Sequence, residues 1–346
     1  MRFPAYFFKY MCIGGGGLKL NLLNVHSFLW LLVLLQAASV YPLRAVETGP
    51  EIIDEYVVAF EYNAIMGEAP IWHPLRNTLF WLDVHGKKLF EYIPEEKNSR
   101  TWDFKRKIST VVPESRTTVI VAHENELLRV HLESGEHERL ARIDDANGDL
   151  RFNDGKCDPL GRFWVGTLRA KGSPVKAALY SFGTDGESVT KIENVLNSNG
   201  LGWSPDRKWF YYIDSPTKQI ARYHYDAESG DIAYDKVFVR TEEYGPGVPD
   251  GMAIDVDGNI WAAITNQGIL CWNPESGKLV ARIILPARHF TACGFGGKNM
   301  DELYITTARF KVTPNSLEEY PLTGSLFMVK PGVKGIATKL FGATEN

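Results

Sequence analysis

Short segments that open on a polar residue recur along the chain, and each continues into small or apolar residues. The polar residues are carboxylic acids, amides and one hydroxyl. Carboxylate and amide oxygens are typical ligands of hard divalent cations, and the same groups form hydrogen bonds with polar substrates. The segments are Gly67–Pro74, Asn153–Pro159, Asn199–Pro205, Pro249–Gly258 and Thr291–Gly297, and the residues that open them are Glu68, Asn153 with Asp154, Asn199, Asp250 and Thr291.

Glu68 and Asp250 lie 182 positions apart, so only the fold can bring such residues together. From residue 77 onward, a β-rich run, a short polar stretch and a second β-rich run recur six times. β-branched and aromatic residues dominate these runs, and no long stretch has helical periodicity. A period of 39 to 50 residues is typical of a four-stranded propeller blade, so the sequence predicts an all-β, six-bladed β-propeller. The anchors are Trp81, Ile120, Trp164, Tyr211, Trp261 and Tyr304.

A propeller must close its ring, because an open ring would expose the edges of two blades. The segment Glu55–Asn63 is strand-like and precedes the first repeat. We expect it to add a strand to the last blade, beside either Ser325–Lys330 or Gly335–Leu340. The two ends of the chain would then meet in one sheet.

Equivalent positions in the blades of a propeller lie on a ring around the central axis. Glu68, Asn153 or Asp154, Asn199 and Asp250 should therefore converge at one mouth of the channel. Carboxylates that lie close together repel each other, and a divalent cation between them relieves the repulsion. Oxygen ligands without His or Cys favour Ca²⁺, Mg²⁺ or Mn²⁺. The alternative is that these residues cap turns, since Asn-Gly and Asp-Gly pairs are common there.

At this point the chain resembles a known family, the regucalcin or senescence marker protein 30 family, which includes gluconolactonases and insect luciferin-regenerating enzymes. The resemblance runs from about Val57 to Gly342. It implies a six-bladed propeller with one divalent metal ion in the channel. The resemblance does not decide whether this ion is Ca²⁺, Zn²⁺, Mn²⁺ or Mg²⁺. The motifs that carry it are GEAPIW, RFNDGKCDPLGRFWVGT, NSNGLGWSPD, FYYIDS, VPDGMAID and FGGKNMDELYITTAR.

The resemblance also implies roles for single residues. The family's metal ligands match Glu68, Asn199 and Asp250, and its general base matches Asp250 as well. The family's substrate-binding Arg and Asn match Arg151 and Asn153. Asp154 follows directly and is expected to reach the metal site through a water molecule.

These roles imply a metal-dependent lactonase, a gluconolactonase-type hydrolase that acts on sugar lactones such as D-glucono-δ-lactone. Two other functions stay open. The first is a calcium-binding regulatory protein with little or no catalysis, and the second is a propeller that serves as a platform for protein partners. A small-molecule lactone is the expected partner, and the sequence specifies no protein partner.

One segment departs from the family pattern. Regucalcin-type members have a longer stretch between the second and third strands of the third repeat, and a Glu in it contacts the sugar lactone. Here the stretch is only Arg169–Ala178, with Lys171 and Lys176 and no acidic residue. We expect the departure to affect the preference for sugar lactones and to leave the metal site intact.

Residues 1–45 differ from the rest, so we divide the chain into this extension and a single propeller domain over residues 46–346. Phe28–Val40 is a 13-residue apolar run preceded by basic residues, which is typical of a signal-peptide core. The extension therefore predicts a secreted protein. If it is not a signal peptide, a cytoplasmic location is expected, as is usual in the family. The propeller domain itself is not expected to insert stably into a membrane.

Composition excludes several other classes of protein. The 346 residues include 38 Lys and Arg and 42 Asp and Glu, a net charge of −4, which argues against a nucleic-acid-binding protein. The sequence has no G-x-S-x-G motif of a serine hydrolase. His123–Leu127 lacks the second His of a zinc protease, and Asp144–Asp149 lacks the first ligand of an EF-hand. We interpret both segments as turns or strand edges.

Overall fold

The structure is a computed structural model that describes residues 49–145 and 148–343. Strands β3 to β25, with β2, build six blades of four antiparallel strands, so the predicted six-bladed β-propeller is confirmed. The strands of each blade are given from the axis outward. The first blade consists of β3 (Gly67–His73), β4 (Thr78–Asp83), β5 (Lys88–Ile93) and β6 (Asn98–Asp103), the second of β7 (Ile108–Pro113), β8 (Thr118–His123), β9 (Glu126–His131) and β10 (His137–Arg142), and the third of β11 (Leu150–Cys157), β12 (Phe163–Arg169), β13 (Ala177–Phe182) and β14 (Ser188–Val195). The fourth blade consists of β15 (Ser198–Trp203), β16 (Trp209–Asp214), β17 (Gln219–Tyr225) and β18 (Ile232–Arg240), the fifth of β19 (Pro249–Ile254), β20 (Ile260–Ile264), β21 (Gly268–Trp272) and β22 (Leu279–Ile283), and the sixth of β23 (Phe290–Gly296), β24 (Glu302–Thr307), β25 (Leu326–Val329) and β2 (Val57–Phe60).

The core lies between the blades, where the sheets face each other. All six anchor residues lie in the second strand of their blade, and each is at least 98% buried. Each innermost strand contacts the innermost strand of the next blade, and β23 contacts β3 to complete the ring. The alternation of aromatic and aliphatic residues in the second strands therefore fills the spaces between neighbouring sheets.

Both ends of the described chain take part in closing the ring. Strand β2 pairs antiparallel with β25, with Val57 opposite Met328, which confirms the predicted clasp beside Ser325–Lys330. A further strand, β1 (Glu51–Ile53), pairs in parallel with β22 and gives the fifth blade a fifth strand, which the sequence did not predict.

The C-terminal segment does not join a blade. Gly335 forms an isolated bridge with Asp255, the Phe341 amide donates to the Pro113 carbonyl at 2.7 Å, and the Gly342 amide donates to the Gly161 carbonyl at 2.9 Å. The segment thus crosses one end of the propeller from the fifth and sixth blades to the second and third. The alternative clasp through Gly335–Leu340 is wrong.

Helices are few in the described residues. A short helix, α1 (Pro314–Glu319), lies between β24 and β25, and two 3-10 turns, Ser215–Thr217 and Thr241–Tyr244, follow β16 and β18. None of the helices among the described residues is long and apolar enough to span a membrane. The predicted signal segment, residues 28–40, lies outside the described residues.

The two competing motifs have ordinary structural positions. His123–Leu127 forms the tight turn between β8 and β9. The Asp145 carboxylate accepts hydrogen bonds from the amides of Asp149 and Leu150, at 2.8 and 3.0 Å, as in a capped turn.

Candidate active site and metal centre

Every innermost strand breaks its pairing register at or beside its polar residue. Such β-bulges place an extra residue in one strand, and they redirect its side chains relative to a regular pleat. Repeated around the ring, the bulges give each innermost strand a local irregularity at the same level of the channel. The breaks fall between Glu68 and Ile71, Ile108 and Thr110, Phe152 and Gly155, Ser198 and Leu201, Pro249 and Met252, and Phe290 and Ala292.

The Asn-Gly and Asp-Gly pairs are not turns. Gly200 lies in β15 and Gly251 in β19. A Cβ atom at Gly200 would lie 2.7 Å from the Asp250 carbonyl oxygen, and one at Gly251 would lie 2.5 Å from the Ala292 Cβ. Glycine is therefore needed for the close approach of neighbouring innermost strands. The same close approach brings Asn199 near Asp250, so the interpretation of these residues as turn caps is wrong.

A chain of hydrogen bonds links the predicted substrate-binding residues to a predicted metal ligand. The Arg151 guanidinium donates through Nη1 to the Asn153 Oδ1 atom at 3.0 Å and to the Phe152 carbonyl at 2.9 Å. Asn153 in turn donates through Nδ2 to the Asn199 Oδ1 atom at 3.0 Å and to the Ser198 carbonyl at 2.8 Å. The structure thus brings these three side chains into one network.

Ser215 fixes the orientation of the Asn199 amide. The Asn199 Nδ2 atom donates to Ser215 Oγ at 2.7 Å, and that hydroxyl donates to the Pro249 carbonyl at 2.7 Å. The Asn199 oxygen is consequently turned away from Ser215, and it keeps one lone pair beyond the bond from Asn153. Sequence reasoning missed this residue. Its signal was the serine directly after the second strand of the fourth blade, in the FYYIDS motif.

Three carboxylates, of Glu68, Asp154 and Asp250, lie within electrostatic range of one another. Loss of solvent raises the pKa of Glu68 well above its ordinary value, and the charges of Asp250 and Asp154 raise it further. The pKa of Asp250 is raised well above its ordinary value for the same two reasons, with Asp154 as the charged neighbour. No donor among the described residues forms a hydrogen bond with the Asp250 carboxylate. The cluster is therefore poorly compensated and favours a bound proton or cation.

Asp154 is the best-compensated member of the cluster. It is 92% buried, and burial raises its pKa, while the charge of Lys156 and a 2.7 Å hydrogen bond from the Gly155 amide lower it. Lys156 donates to the Met252 and Leu201 carbonyls and so holds its charge within the channel. Sequence reasoning missed Lys156, although it follows the opening Asn153 and Asp154 in the same motif.

The donor chemistry fits a hard divalent cation. Glu68, Asn199 and Asp250 offer only oxygen atoms, and two of them are carboxylates that repel each other. Within residues 49–145 and 148–343, no three His, Cys, Asp or Glu side chains are grouped so that they could hold a metal ion. A metal site here would therefore depend on the Asn199 amide as a ligand.

Thr291, at the equivalent position of the sixth blade, has its hydrogen-bonding capacity used within the protein. Its hydroxyl donates to the Gly67 carbonyl at 2.5 Å and contacts the Thr306 hydroxyl at 2.9 Å. It joins the sixth blade to the first and holds the strand that carries Glu68.

The loops around the mouth differ in length. In the third blade, β12 ends at Arg169 and β13 begins at Ala177, so the loop is as short as the sequence indicated. Ser173 ties this loop to the Asp149 carboxylate at 2.9 Å. The sixth blade has the longer excursion, and in it the ring of Phe310 stacks on His85 with centroids 4.8 Å apart.

The opposite end of the channel is different in character. A cavity of about 290 Å³ lies there, lined mainly by apolar residues of the innermost strands and by the C-terminal segment 336–339. Ile71, Trp203, Ile254 and Phe295 are among its walls. The charged cluster therefore belongs to one mouth alone.

Known proteins resemble this chain over most of its length. Residues 66–309 match the model of the SMP-30/gluconolactonase/LRE-like region. The Bacillus subtilis protein YvrE, named as a candidate sugar lactone lactonase, is 36% identical over 272 residues, which cover 78% of this chain and 93% of that protein. Regucalcin of Danio rerio is 34% identical over 275 residues, which cover 78% and 92%. A solved luciferin-regenerating enzyme superposes with a TM-score of 0.78 at 30% identity and covers 84% of this chain and 99% of its own. The chain belongs to the SMP-30/gluconolactonase/LRE-like family.

Proposed function

We propose that the protein is a metal-dependent lactonase that hydrolyses sugar lactones such as D-glucono-δ-lactone. The observation that carries the proposal is the Asp250 carboxylate, which lies beside other carboxylates and receives no hydrogen bond from a described residue. Membership of a family that contains lactonases supports the proposal, and so does the likeness to YvrE.

Glu68, Asn199 and Asp250 would hold the divalent cation through oxygen atoms. When bound, such a cation would polarise the lactone carbonyl as a Lewis acid. The oxygen-only donor set favours Ca²⁺, Mg²⁺ or Mn²⁺ over Zn²⁺. Ser215 would keep the Asn199 oxygen turned toward the cation, because it takes up the amide's Nδ2 atom.

Asp250 would act as the general base. The bound cation would keep the Asp250 carboxylate ionised, and an ionised carboxylate can accept a proton from a neighbouring water molecule. Asp250 would accept a proton from the attacking water as the new bond from oxygen to the carbonyl carbon forms. It would return that proton to the ring oxygen as the ring carbon–oxygen bond breaks, which gives a hydroxy acid.

Arg151 and Asn153 would position the substrate. Their mutual hydrogen bond and the bond from Asn153 to Asn199 fix the two side chains relative to the proposed metal ligand. Substrate hydroxyls that bind there would be held at a set distance from Asp250, and such orientation lowers the entropic part of the barrier. Asp154 would contact the cation through water.

The test is proton release from D-glucono-δ-lactone above the spontaneous rate, with the full-length protein. It is run with a chelator, with each metal ion restored, and beside Asp250→Ala. Turnover that needs both a metal ion and Asp250 is expected. A folded protein that binds calcium without hydrolysing any lactone would contradict the proposal and favour the calcium-binding regulatory function.

A further inference from the structure

The end of the channel away from Asp250 holds a cavity that the proposed function does not use. Its volume of about 290 Å³ is close to the lower limit of about 300 Å³ for pockets that bind small ligands. Residues of the innermost strands β3, β11, β15, β19 and β23 form most of its walls. Apolar side chains such as Ile71, Leu201 and Phe295 are among them. The cavity can therefore bury the apolar part of a small molecule.

The C-terminal segment forms one wall of this cavity. Before the wall, the Gly335 amide donates to the Met300 carbonyl at 2.8 Å. After the wall, the Phe341 amide donates to the Pro113 carbonyl at 2.7 Å. Residues 336–339, which lie between these two attachments, line the cavity. The segment is thus bound to the blades on both sides of the cavity, and the space beneath it belongs to the folded domain.

The wall of the cavity includes a buried hydrogen-bond donor that has no acceptor. Trp203 lines the cavity and is 7% exposed, and its indole Nε1 atom has no hydrogen-bond partner among the described residues. The indoles of Trp164 and Trp261, by contrast, donate to the carboxylates of Asp158 and Asp255 at 3.0 and 2.9 Å. A buried donor without a partner costs free energy. A ligand with an acceptor group would supply the partner that Trp203 lacks.

The charged residues in the walls are all basic. Lys156, Arg207 and Lys339 line the cavity, and no Asp or Glu is among the described residues that do so. The Lys156 ammonium donates to one backbone carbonyl of β15 and one of β19, and on its other side its charge acts on Asp154. An ammonium group has three N–H donors, so one donor of Lys156 is left for another acceptor. Lys339 forms no ion pair with a described residue.

Acidic residues next to the cavity in sequence already have partners within the protein. Asp158 accepts a hydrogen bond from the Arg162 side chain at 2.6 Å. Asp206 accepts one from the Ser204 hydroxyl at 2.6 Å. Asp255 is bound by donors of the turn after β19, as its four hydrogen bonds show. The basic residues of the walls are therefore better suited to an anionic ligand than to a cationic one.

We infer that this cavity is a second binding site, and that its ligand is a small amphipathic carboxylate such as a medium-chain fatty acid. The hydrocarbon chain would lie against Ile71, Leu201 and Phe295, and its burial would supply most of the affinity. The carboxylate would accept a hydrogen bond from the Trp203 indole and be attracted by the basic residues. A sugar acid, the product of the proposed hydrolysis, has no apolar chain to bury. The inference is thus independent of the lactonase function.

The test measures binding of three ligands to the full-length protein by calorimetry. A chelator is present, so that no ligand binds through a metal ion at Asp250. Octanoate has both the chain and the carboxylate, octylammonium has the same chain with a positive charge, and D-gluconate has a carboxylate without the chain. We expect octanoate to bind at one site per chain, with a Kd at least about tenfold lower than that of either other ligand.

The variant Trp203→Phe keeps an aromatic ring in the wall and removes the indole N–H. It should raise the Kd for octanoate about tenfold, because a hydrogen bond to a charged acceptor is lost. The matched control is Trp272→Phe. Trp272 is also buried, its indole also has no partner among the described residues, and it does not line the cavity. This control should leave the Kd unchanged.

Two further variants act on the wall that the C-terminal segment supplies. Thr338→Phe places a ring where a small side chain lines the cavity, and it should raise the Kd for octanoate at least about tenfold. Lys339→Gln should raise the Kd about threefold, and Lys334→Gln, an exposed position outside the cavity, should not change it. Asp250→Ala should also leave the Kd unchanged, because the cavity lies at the other end of the channel.

Several results would overturn the inference. A folded protein that does not bind octanoate saturably, or that binds octylammonium equally well, contradicts it. A folded Thr338→Phe variant with the parent's Kd shows that octanoate does not occupy the cavity. Trp272→Phe raising the Kd as far as Trp203→Phe does removes the indole from the site, and loss of binding in Asp250→Ala places the ligand at the other mouth. None of these results depends on lactone hydrolysis, so the proposed function and this inference can fail separately.

Discussion

The two ends of strand β19 carry aspartates in opposite surroundings. Asp255, just after the strand, is fully buried and accepts hydrogen bonds from the Trp261 indole and the Asn259 side chain, both at 2.9 Å, and from two backbone amides. Asp250, at the start of the strand, is half-buried beside Asp154, and no described residue donates to it.

The difference separates a carboxylate that supports the fold from one that we propose to act in the site. Donors on every side stabilise the charge of Asp255 and fix the turn that follows β19. The third blade repeats this arrangement, since Asp158 accepts from the Trp164 indole at 3.0 Å and from the Arg162 side chain at 2.6 Å. Asp250 has neighbouring carboxylates where Asp255 has hydrogen-bond donors. A proton or a cation from outside the chain would therefore stabilise Asp250.

The variant Asp250→Ala should have the largest effect. We expect kcat/KM for the lactone to fall at least about 10³-fold, because the variant removes both the proposed base and a proposed metal ligand. The free energy of unfolding of the metal-free protein should not fall, because the variant removes a carboxylate that its neighbouring carboxylates repel. Lactone hydrolysis and urea unfolding measure the two effects. A metal-free variant much less stable than the parent would show that Asp250 supports the fold.

The converse change, Asp255→Asn, should act on stability. We expect a loss of about 2 to 3 kcal/mol in the free energy of unfolding, because an amide group would face donors that now bind a carboxylate. Turnover per folded molecule should change little. Asp257→Asn is the control, since that side chain is exposed in the same turn. If both variants unfolded at the same urea concentration as the parent, the structural role of Asp255 would be wrong.

A smaller effect is expected from Ser215→Ala, which leaves the carboxylates intact and frees the Asn199 amide to rotate. Partners behind a metal ligand typically contribute about 10- to 100-fold in metal affinity. We expect the Kd for the metal ion to rise by about tenfold, measured by calorimetry. Thr217→Ala, in the same 3-10 turn, controls for disturbance of the backbone. An unchanged Kd would remove Ser215 from the site.

The smallest effect is a dependence of stability on pH. Because the pKa values of Glu68 and Asp250 are raised in the folded state, their contribution favours folding most below their ordinary values near 4.5 and 3.8. That contribution is lost as pH rises through the folded-state pKa values. We expect the metal-free protein to lose stability as pH rises above the ordinary pKa values of these two groups. Urea unfolding of the parent and of Asp250→Asn with a chelator measures the difference.

A divalent cation should reduce this dependence of stability on pH, since it stabilises the ionised carboxylates. A metal-free parent and an Asp250→Asn variant with the same pH dependence would contradict the electrostatic description of the cluster.

Much of the fold follows from the sequence, because each blade repeats the same pattern of buried second-strand residues, such as Trp81 and Trp164. The clasp was predicted as one of two options, and only pairing energies decide between β2 on β25 and the C-terminal segment. Strand β1 was missed because three residues carry no periodicity, and its parallel pairing with β22 depends on the finished ring.

The grouping of Glu68, Asn199 and Asp250 was predictable from their equivalent positions in the repeat, and their roles stay predictions. The local geometry was not predictable. The bulges leave no mark in composition, and the parts played by Ser215 and Lys156 depend on hydrogen bonds to residues that are distant in sequence, such as Pro249 and Met252.

The position of the C-terminal segment affects how substrate and product can reach and leave the channel. Within the described part of the chain, it lies across the end away from Asp250, and Lys156 stands between that end and the carboxylate cluster. Among the described residues, the mouth beside Asp250 is therefore the expected route for both substrate and product. A hydroxy acid formed by the proposed hydrolysis would leave through the mouth that the lactone enters. The product should therefore act as a competitive inhibitor, and its release rather than bond cleavage would limit turnover at high substrate concentration.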